Sequence, residues 1–402
     1  MYSAYNVGPT VTSPTGEVNL SDPTGASGHQ SFSVHQFSPA GAHVGSFVAW
    51  SVPSGASLPT YLGIDPLGNA LYTVNSSGAG GNQRRSAIRR PPDGVGIKTI
   101  GGDYLDYVGW DVQFGNAGGD DAGHWLVQYD QSAYAPLSCG TGCGFDFGNG
   151  IETGSRILRY DASGNYLGSI PSPGTWRLDP AGKLHVIKDF TGTTDLGCGT
   201  LTGGSGASFA LASLDLDGMC IANKAFSAPK PKAVTLAGDG SILLGIQHTG
   251  SIDLGSGPLP DLGGQNLTIA KLDLDGNVLA TRTIGGTGST FTNITLDAAP
   301  SGIIILSAKF GGTVDLGAGP IGNAGDTLLA AFDPDGTLRW SKVVNVGSTV
   351  YNFAGPSLTI AWQPCSMLVA TNSPTVDLGA GPVTPVPSQF NSADIAVLGL
   401  AL

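Results

Sequence analysis

The tetrapeptide VDLG at residues 314–317 indicates the architecture of this 402-residue chain, because it returns along the whole second half of the sequence. Close copies, TDLG and IDLG, begin at Thr194 and Ile252, and VDLG itself begins again at Val376. The aspartates of successive copies are 58, 62 and 62 residues apart. Self-similarity at a nearly fixed period is the signature of a repeat architecture.

The unit at residues 290–344 shows what one repeat contains. Short apolar or alternating runs predict four strands, and the tetrapeptide lies in the loop between the second and the third. The turn DPDG at 333–336 separates the last two runs, and an Asp-Gly turn between such runs is a strong hairpin signal. Four consecutive strands joined by short turns predict one antiparallel meander. The predicted strands are 291–297, 303–310, 327–332 and 338–343.

The same register recurs along the chain and predicts seven units of about 57 residues each. The second unit, at about 75–134, lacks the tetrapeptide, and the first and last units are incomplete. Four-stranded meanders arranged in a ring form a β-propeller. We therefore predict an all-β fold, a single seven-bladed propeller domain spanning residues 1–402. Pairing of the N- and C-terminal strands would close the ring and remove an exposed sheet edge.

The composition agrees with closely spaced strands and limits the possible partners. Glycine occurs 63 times and charged residues make up 12% of the chain, against roughly 25% in ordinary globular proteins. The net charge of −12 argues against nucleic acid as a partner, since phosphate binding needs a basic face. No apolar stretch approaches the roughly 20 residues of a membrane-spanning helix, so no membrane span is predicted.

The five cysteines indicate an oxidising compartment. An odd number in a Gly-rich chain predicts a secreted or cell-surface protein with some disulfides and one free thiol. Neither a Cys-x-x-Cys motif nor a Cys/His cluster with zinc spacing occurs in the sequence. The CGTGC loop from Cys139 to Cys143 is flexible enough to close on itself, and a local bridge and two separate thiols stay open as alternatives.

Three motifs of the sixth unit, GTVDLGAGP at 312–320, AFDPDG at 331–336 and RWSK at 339–342, resemble the secreted β-propeller repeats of myxobacteria and related bacteria. The resemblance covers most of the chain and is weakest at residues 75–134. It implies a disulfide between Cys198 and Cys220, because such repeats often carry one cysteine after the tetrapeptide and another after the hairpin turn. The predicted strand order puts the two at opposite ends of a blade, so this bridge requires the loop to fold back. The family has no single activity, and the resemblance therefore implies no function.

The repeated aspartates have two interpretations. The tetrapeptide Asp could form a ring of carboxylates on one face, but we expect it to cap its own turn while the following Gly takes a positive φ. The Asp-x-Asp-Gly turns resemble the start of calcium loops, which also need a distal Glu that is missing here. We expect no cofactor, with calcium as the alternative. The candidate calcium ligands are Asp215, Asp217, Asp273, Asp275, Asp333 and Asp335.

The irregular second unit is the part that the repeat does not explain. Four arginines fall within residues 84–90, and Tyr and Trp residues crowd the stretch that follows. Aromatic rings beside polar groups suit sugars or peptides. The alternative is that the rings pack between blades and that the arginines line a solvated hairpin edge. The predicted ligand-binding residues are Trp110, Asp111, Trp125, Arg84, Arg85 and Tyr107.

We therefore predict an acidic, extracellular, lectin-like binding module without catalytic activity, with a glycan as its ligand. The first alternative is a structural or adhesive protein of a surface or assembly, which would bind another surface protein. The second is a polysaccharide-active lyase or hydrolase, which rests on fold analogy alone. No catalytic residue is assigned, because the histidines are scattered, no Gly-x-Ser-x-Gly turn joins a strand to a helix, and only two glutamates occur.

Overall fold

A computed structural model of the protein describes residues 154–344 almost continuously, with gaps at 173, 300 and 323–326. Every regular element in the described part is a β-strand, and no helix there is long and apolar enough to cross a bilayer. Outside the long segment the structure describes residues 2–6, 10–13, 16–19, 29–37, 43–53, 59–65, 67, 69–77, 82–91, 98–105, 112–131, 145–146, 151–152, 366–371, 376–377, 382–383 and 394–399.

We number the main sheets I to VII in chain order and name with each one the separate two-stranded hairpin sheet that is inserted between its strands. The first three main sheets are antiparallel. Sheet I contains β1 (Tyr2–Asn6), the hairpin strands β2 (Thr10–Ser13) and β3 (Gly16–Asn19), β4 (His29–Phe37) and β5 (His43–Pro53). Sheet II contains β6 (Pro59–Ile64), β7 (Ala70–Ser77), β8 (Asn82–Arg90) and β9 (Lys98–Leu105). Sheet III contains β10 (Val112–Gly119), β11 (Trp125–Gln131), the hairpin strands β12 (Phe145–Asp146) and β13 (Ile151–Glu152), β14 (Arg156–Tyr160) and β15 (Tyr166–Pro171).

Four further antiparallel sheets follow. Sheet IV contains β16 (Thr175–Leu178), β17 (Leu184–Phe190), the hairpin strands β18 (Thr193–Asp195) and β19 (Thr200–Thr202), β20 (Ser208–Leu214) and β21 (Cys220–Phe226). Sheet V contains β22 (Ala233–Leu236), β23 (Ile242–His248), β24 (Asn266–Leu272) and β25 (Val278–Ile284). Sheet VI contains β26 (Thr290–Ala298), β27 (Ile304–Gly311), the hairpin strands β28 (Thr313–Asp315) and β29 (Pro320–Gly322), β30 (Thr327–Phe332) and β31 (Leu338–Val344). Sheet VII contains β32 (Ser366–Thr371), the hairpin strands β33 (Val376–Asp377) and β34 (Pro382–Val383), and β35 (Asp394–Gly399).

The predicted all-β fold with four-stranded antiparallel sheets is confirmed in sheets II to VI. The first strands of successive sheets contact one another from β6 through β10, β16 and β22 to β26, which is a propeller-like arrangement. The closed ring of seven blades stays a prediction. Among the described pairings, the N-terminal β1 pairs with β4 and the C-terminal β35 pairs with β32.

The apolar core lies between neighbouring sheets, and this explains the strand sequences. The third strand of sheets IV, V and VI, counted without the inserted hairpins, packs on both faces, so β20, β24 and β30 are buried along their whole length. In the outer strands β21 and β25 only the last residue is buried. A strand covered on both faces reads as a continuous apolar run, whereas an outer strand tolerates polar residues.

The tetrapeptide aspartate caps its own turn, as predicted. The Asp315 carboxylate accepts hydrogen bonds from the N–H groups of Gly317 at 2.6 Å and Gly319 at 3.2 Å. Both glycines have positive φ, 92° and 106°, which side chains disfavour. Asp195 and Asp253 accept the same pair of bonds in sheets IV and V.

The tetrapeptide leucine attaches the hairpin to the preceding sheet. Leu316 is 2% exposed and belongs to the apolar cluster that contains Ile284 of sheet V. The Asp315 N–H donates to the Gly285 carbonyl at 2.9 Å, so β28 lies beside the end of the outer strand β25. In sheet V the corresponding hairpin is closed by the isolated bridge between Asp253 and Pro258, and its Leu254 joins the cluster of Phe226, in sheet IV. The two leucines therefore pack at the ends of the outer strands β25 and β21, where Ile284 and Phe226 are buried.

The disulfide between Cys198 and Cys220 is confirmed, with a Cα–Cα distance of 5.2 Å. The loop folds back along β21, as the bridge requires, and the Asn223 amide donates to the Cys198 carbonyl at 3.5 Å. The predicted local bridge between Cys139 and Cys143 lies outside the described residues.

Candidate functional site

A groove between sheets IV and V is large enough to hold a small ligand. It has a volume of about 590 Å³ and opens where β17 and β23 end and where β20 and β24 begin. The segment that links the two sheets contributes to its lining. We call it the IV–V groove. Its lining residues are Asp189, Phe190, Thr191, Ala207, Ser208, Pro229, Lys230, Lys232, Gln247, His248, Thr249 and Gln265.

Two lysines give the IV–V groove a local positive charge in a protein of net charge −12. Lys230 forms an ion pair with Asp189 at 3.3 Å. The pKa of Asp189 is lowered by a hydrogen bond from its own backbone N–H and by the Lys230 ammonium. Lys232 is exposed, and its ammonium has no hydrogen bond or ion pair with the described residues. An unpaired ammonium in a concave site attracts anions.

Two glutamine side chains at the groove hold the inner strand of sheet VI. Gln247 Nε2 donates to the Phe291 carbonyl at 2.7 Å, and the Phe291 N–H donates to Gln265 Oε1 at 3.1 Å. Gln247 Nε2 also donates to Gln265 Oε1 at 2.8 Å. Because a backbone N–H only donates and a carbonyl only accepts, these bonds fix the orientation of both amides.

His248 belongs to the wall of the groove but is fully bonded. Its Nδ1–H donates to the Gly250 carbonyl at 2.8 Å, and Nε2 lies 2.9 Å from the Thr268 hydroxyl. The residue is 3% exposed. Both ring nitrogens thus have partners within the fold, and the buried ring of His248 supports the wall of the groove.

A buried Ser–His–Asp network lies within sheet IV. His185 Nδ1 is 3.0 Å from the Ser213 hydroxyl and Nε2 is 3.2 Å from Asp179 Oδ2. Burial opposes ionisation of Asp179, but hydrogen bonds from His185 and from the Lys183 N–H outweigh it and hold the pKa of Asp179 below its usual value. The ring nitrogens are used in the opposite order from a serine-hydrolase triad. All three network residues are at most 4% exposed, so no substrate reaches the hydroxyl.

The position of Ser213 in the repeat explains this network as structural. The residue at this position in three successive sheets donates to a carbonyl in the hairpin turn of the next sheet. The pairs are Arg89 with Ala162, Arg159 with Leu216, and Ser213 with Leu274.

The structure brings together few of the ligand-binding residues predicted from the second unit. Arg84 and Arg85 lie on β8, between β7 and β9. Tyr107, Trp110 and Asp111 lie outside the described residues. Trp125, on β11, is 1% exposed and its ring is 5.1 Å from that of Tyr160. The alternative of packing is therefore right for Trp125, which offers no face to a ligand.

The candidate calcium aspartates make hairpin contacts. Asp215 Oδ1 accepts from the N–H groups of Asp217 and Met219, and Asp273 Oδ1 accepts from those of Asp275 and Asn277. Asp217 also pairs with Arg159 and Asp333 with Arg339, while Asp335 accepts from the Thr337 N–H. Within the described ranges, no group of three or more His, Cys, Asp or Glu side chains could hold a metal ion. The calcium alternative gains no support from these turns.

Comparisons with known proteins assign neither a family nor an activity to the chain. No protein-family model and no curated protein match the chain. Similar solved structures include a puromycin hydrolase, with 18% identity, a TM-score of 0.39, and coverage of 79% of this chain and 44% of the hydrolase. A Synechocystis apocarotenoid oxygenase mutant has 13% identity, a TM-score of 0.37, and coverage of 75% and 64%. The Dos1 propeller has 9% identity, a TM-score of 0.35, and coverage of 79% and 67%.

The prediction of a lectin-like, glycan-binding module is wrong. Two of the three similar structures named above are enzymes by their descriptions and none is a lectin. The chain spans less than half of the hydrolase, and at these TM-scores the similarities assign no activity to it. The structural and polysaccharide-active alternatives gain no specific observation from the described residues.

The IV–V groove was not predicted from the sequence. Its lining comes from five separate segments, and most of them are ordinary repeat positions. One signal was present, the KPK tripeptide at 230–232, which places two of 18 basic residues between two repeats.

Proposed function

We propose that the protein is an extracellular binding protein that takes a small organic anion into the IV–V groove. The observation that carries the proposal is the unpaired Lys232 ammonium in a groove of about 590 Å³. Sites of roughly 300–1,000 Å³ hold small ligands. A hydrogen bond between an ammonium and a carboxylate is stronger than one between neutral groups.

The disulfide supports the extracellular location, since disulfides persist in oxidising compartments. The scaffold that we propose is one seven-bladed propeller over residues 1–402, of the secreted bacterial repeat type. In such a scaffold the groove lies between two neighbouring blades, where the linking segment supplies the lysines.

Calorimetric titration with 4-methylpentanoate and with its uncharged amide, 4-methylpentanamide, tests the proposal. We expect the carboxylate to bind and the amide to bind at least tenfold more weakly. Lys232→Ala should weaken carboxylate binding about tenfold or more, because a charge-assisted hydrogen bond contributes roughly 1.5–3 kcal/mol. Binding should also weaken as salt is raised.

Lys183→Ala is the matched control, because it removes the same charge from the turn before β17, at the opposite end of that strand from the groove. It should leave the affinity unchanged. Equal binding of the carboxylate and the amide, or equal losses in the two lysine variants, would contradict the proposal.

A further inference from the structure

The two glutamines of the IV–V groove each retain one unused polar atom. Phe291 occupies Gln247 Nε2 and Gln265 Oε1. Gln247 Oε1, an acceptor, and Gln265 Nε2, a donor, have no partner among the described residues. Both side chains line the groove. The groove therefore presents a paired acceptor and donor as well as an ammonium.

We infer that the anion is the C-terminal carboxylate of a peptide, an inference that rests on the proposed function. A peptide group carries one N–H donor and one C=O acceptor. Its N–H can donate to Gln247 Oε1 and its C=O can accept from Gln265 Nε2. The Phe291 peptide already uses the other two amide atoms, Gln247 Nε2 and Gln265 Oε1, in this way. A fatty acid or inorganic phosphate has no N–H to donate to the Gln247 oxygen when ionised.

The apolar part of the lining gives the peptide a side-chain preference. Phe190 and Pro229 are half-buried and line the groove beside the lysines. An apolar last residue would pack on them while its carboxylate meets Lys232.

Three probes test the inference with the wild-type protein. They are N-acetyl-Ala-Ala-Leu with a free carboxylate, the same peptide with a C-terminal amide, and 4-methylpentanoate, which keeps the carboxylate and the leucine-like end but has no peptide group. We expect the free peptide acid to bind at least tenfold more tightly than either of the other probes in calorimetric titration.

Gln265→Glu separates the role of the amide donor from that of the charge. The glutamate keeps an oxygen for the Phe291 N–H but replaces the donor Nε2 by an acceptor. Added negative charge should weaken both carboxylate probes, while loss of the donor should weaken only the peptide. The affinity ratio of peptide to 4-methylpentanoate should therefore fall at least fivefold, with the Tm within a few degrees of wild type.

The outcomes distinguish this inference from the proposed function. If 4-methylpentanoate binds as tightly as the peptide acid, the peptide inference is wrong and the anion groove stands. If the amidated peptide binds as tightly as the acid, the carboxylate is not the recognised group and both are wrong. If no probe binds the wild-type protein more tightly than it binds the Lys232→Ala variant, both are also wrong.

Discussion

The disulfide in sheet IV can be replaced by residues that the same fold already accepts. Ser256 and Val278 occupy the positions of Cys198 and Cys220 in sheet V, where the hairpin folds without a bridge. We predict that the double variant Cys198→Ser, Cys220→Val keeps the native hairpin, because the Asp195 cap does not depend on the bridge.

The double variant should be about 3.4 kcal/mol less stable, because loss of the bridge raises the conformational entropy of the unfolded chain. The cysteines are 22 residues apart, and a loop of this length carries a closure entropy of about −11 cal/mol/K, or about 3.4 kcal/mol at 25 °C. Because the bridge restrains the unfolded chain, its removal should also expose more surface on unfolding and raise the urea m value.

Equilibrium urea unfolding followed by circular dichroism measures both quantities, and hydrogen exchange of β21 reports on sheet IV alone. Wild-type protein reduced with dithiothreitol is the control and should show the same loss. A loss below about 1 kcal/mol, or a change in the aromatic bands of the folded variant's near-UV spectrum, would refute the reasoning, since the effect would then be absent or would arise in the native state.

Two further predictions concern the core and the pH dependence. Leu316 is 2% exposed, so Leu316→Ala should lower the free energy of unfolding in urea by about 3 kcal/mol. Leu279 is 56% exposed, so the control Leu279→Ala should change it by no more than about 0.5 kcal/mol. Equal effects of the two substitutions would show that the hairpin leucine is not packed in the core. Burial opposes ionisation of Asp239, but hydrogen bonds from Lys271 and Ser241 outweigh it and lower its pKa from 3.8 to about 2. A depressed folded pKa stabilises the protein above the unfolded pKa, so this contribution should be lost as pH falls from about 4 to 2. Asp239→Asn should reduce the change in the free energy of unfolding over this pH range. At pH 7 it should cost no more than about 1 kcal/mol, because solvent screens the half-exposed carboxylate. If the variant's stability still falls between about pH 4 and 2 as in wild type, the contact with Lys271 does not contribute.

The strands of sheets IV to VI could be predicted from the sequence because each one is a local pattern. The predicted strand at 327–332 agrees with β30, and the predicted Asp-Gly turns join the last two strands of these sheets. The extra hairpin of β28 and β29 was not predicted, because its partner is the outer strand of the preceding sheet. A Gly-rich loop gives no local sign of a contact with residues so far back in the chain.

The binding groove could not be predicted because its chemistry depends on which atoms the fold leaves unbonded. Gln247 and Gln265 are ordinary polar residues in the sequence, and only the contact with Phe291 shows which half of each amide is free. The predicted ligand-binding residues were instead placed around the aromatic cluster of the second unit. Trp125 shows why aromatic residues mislead, since large rings also fill the space between sheets.

The hairpins make the contacts between neighbouring sheets directional along the chain. In sheets V and VI each hairpin packs on the sheet before it, so the edge that ends with Ile284 and Gly285 is covered only when Leu316 is in place. Chains are synthesised from the N-terminus, and early domains fold first. A ribosome-bound chain that ends after sheet V would therefore carry an uncovered apolar edge until the next repeat emerges. The order of translation therefore matches the order of burial, and sheets V and VI each complete the packing of the sheet before them.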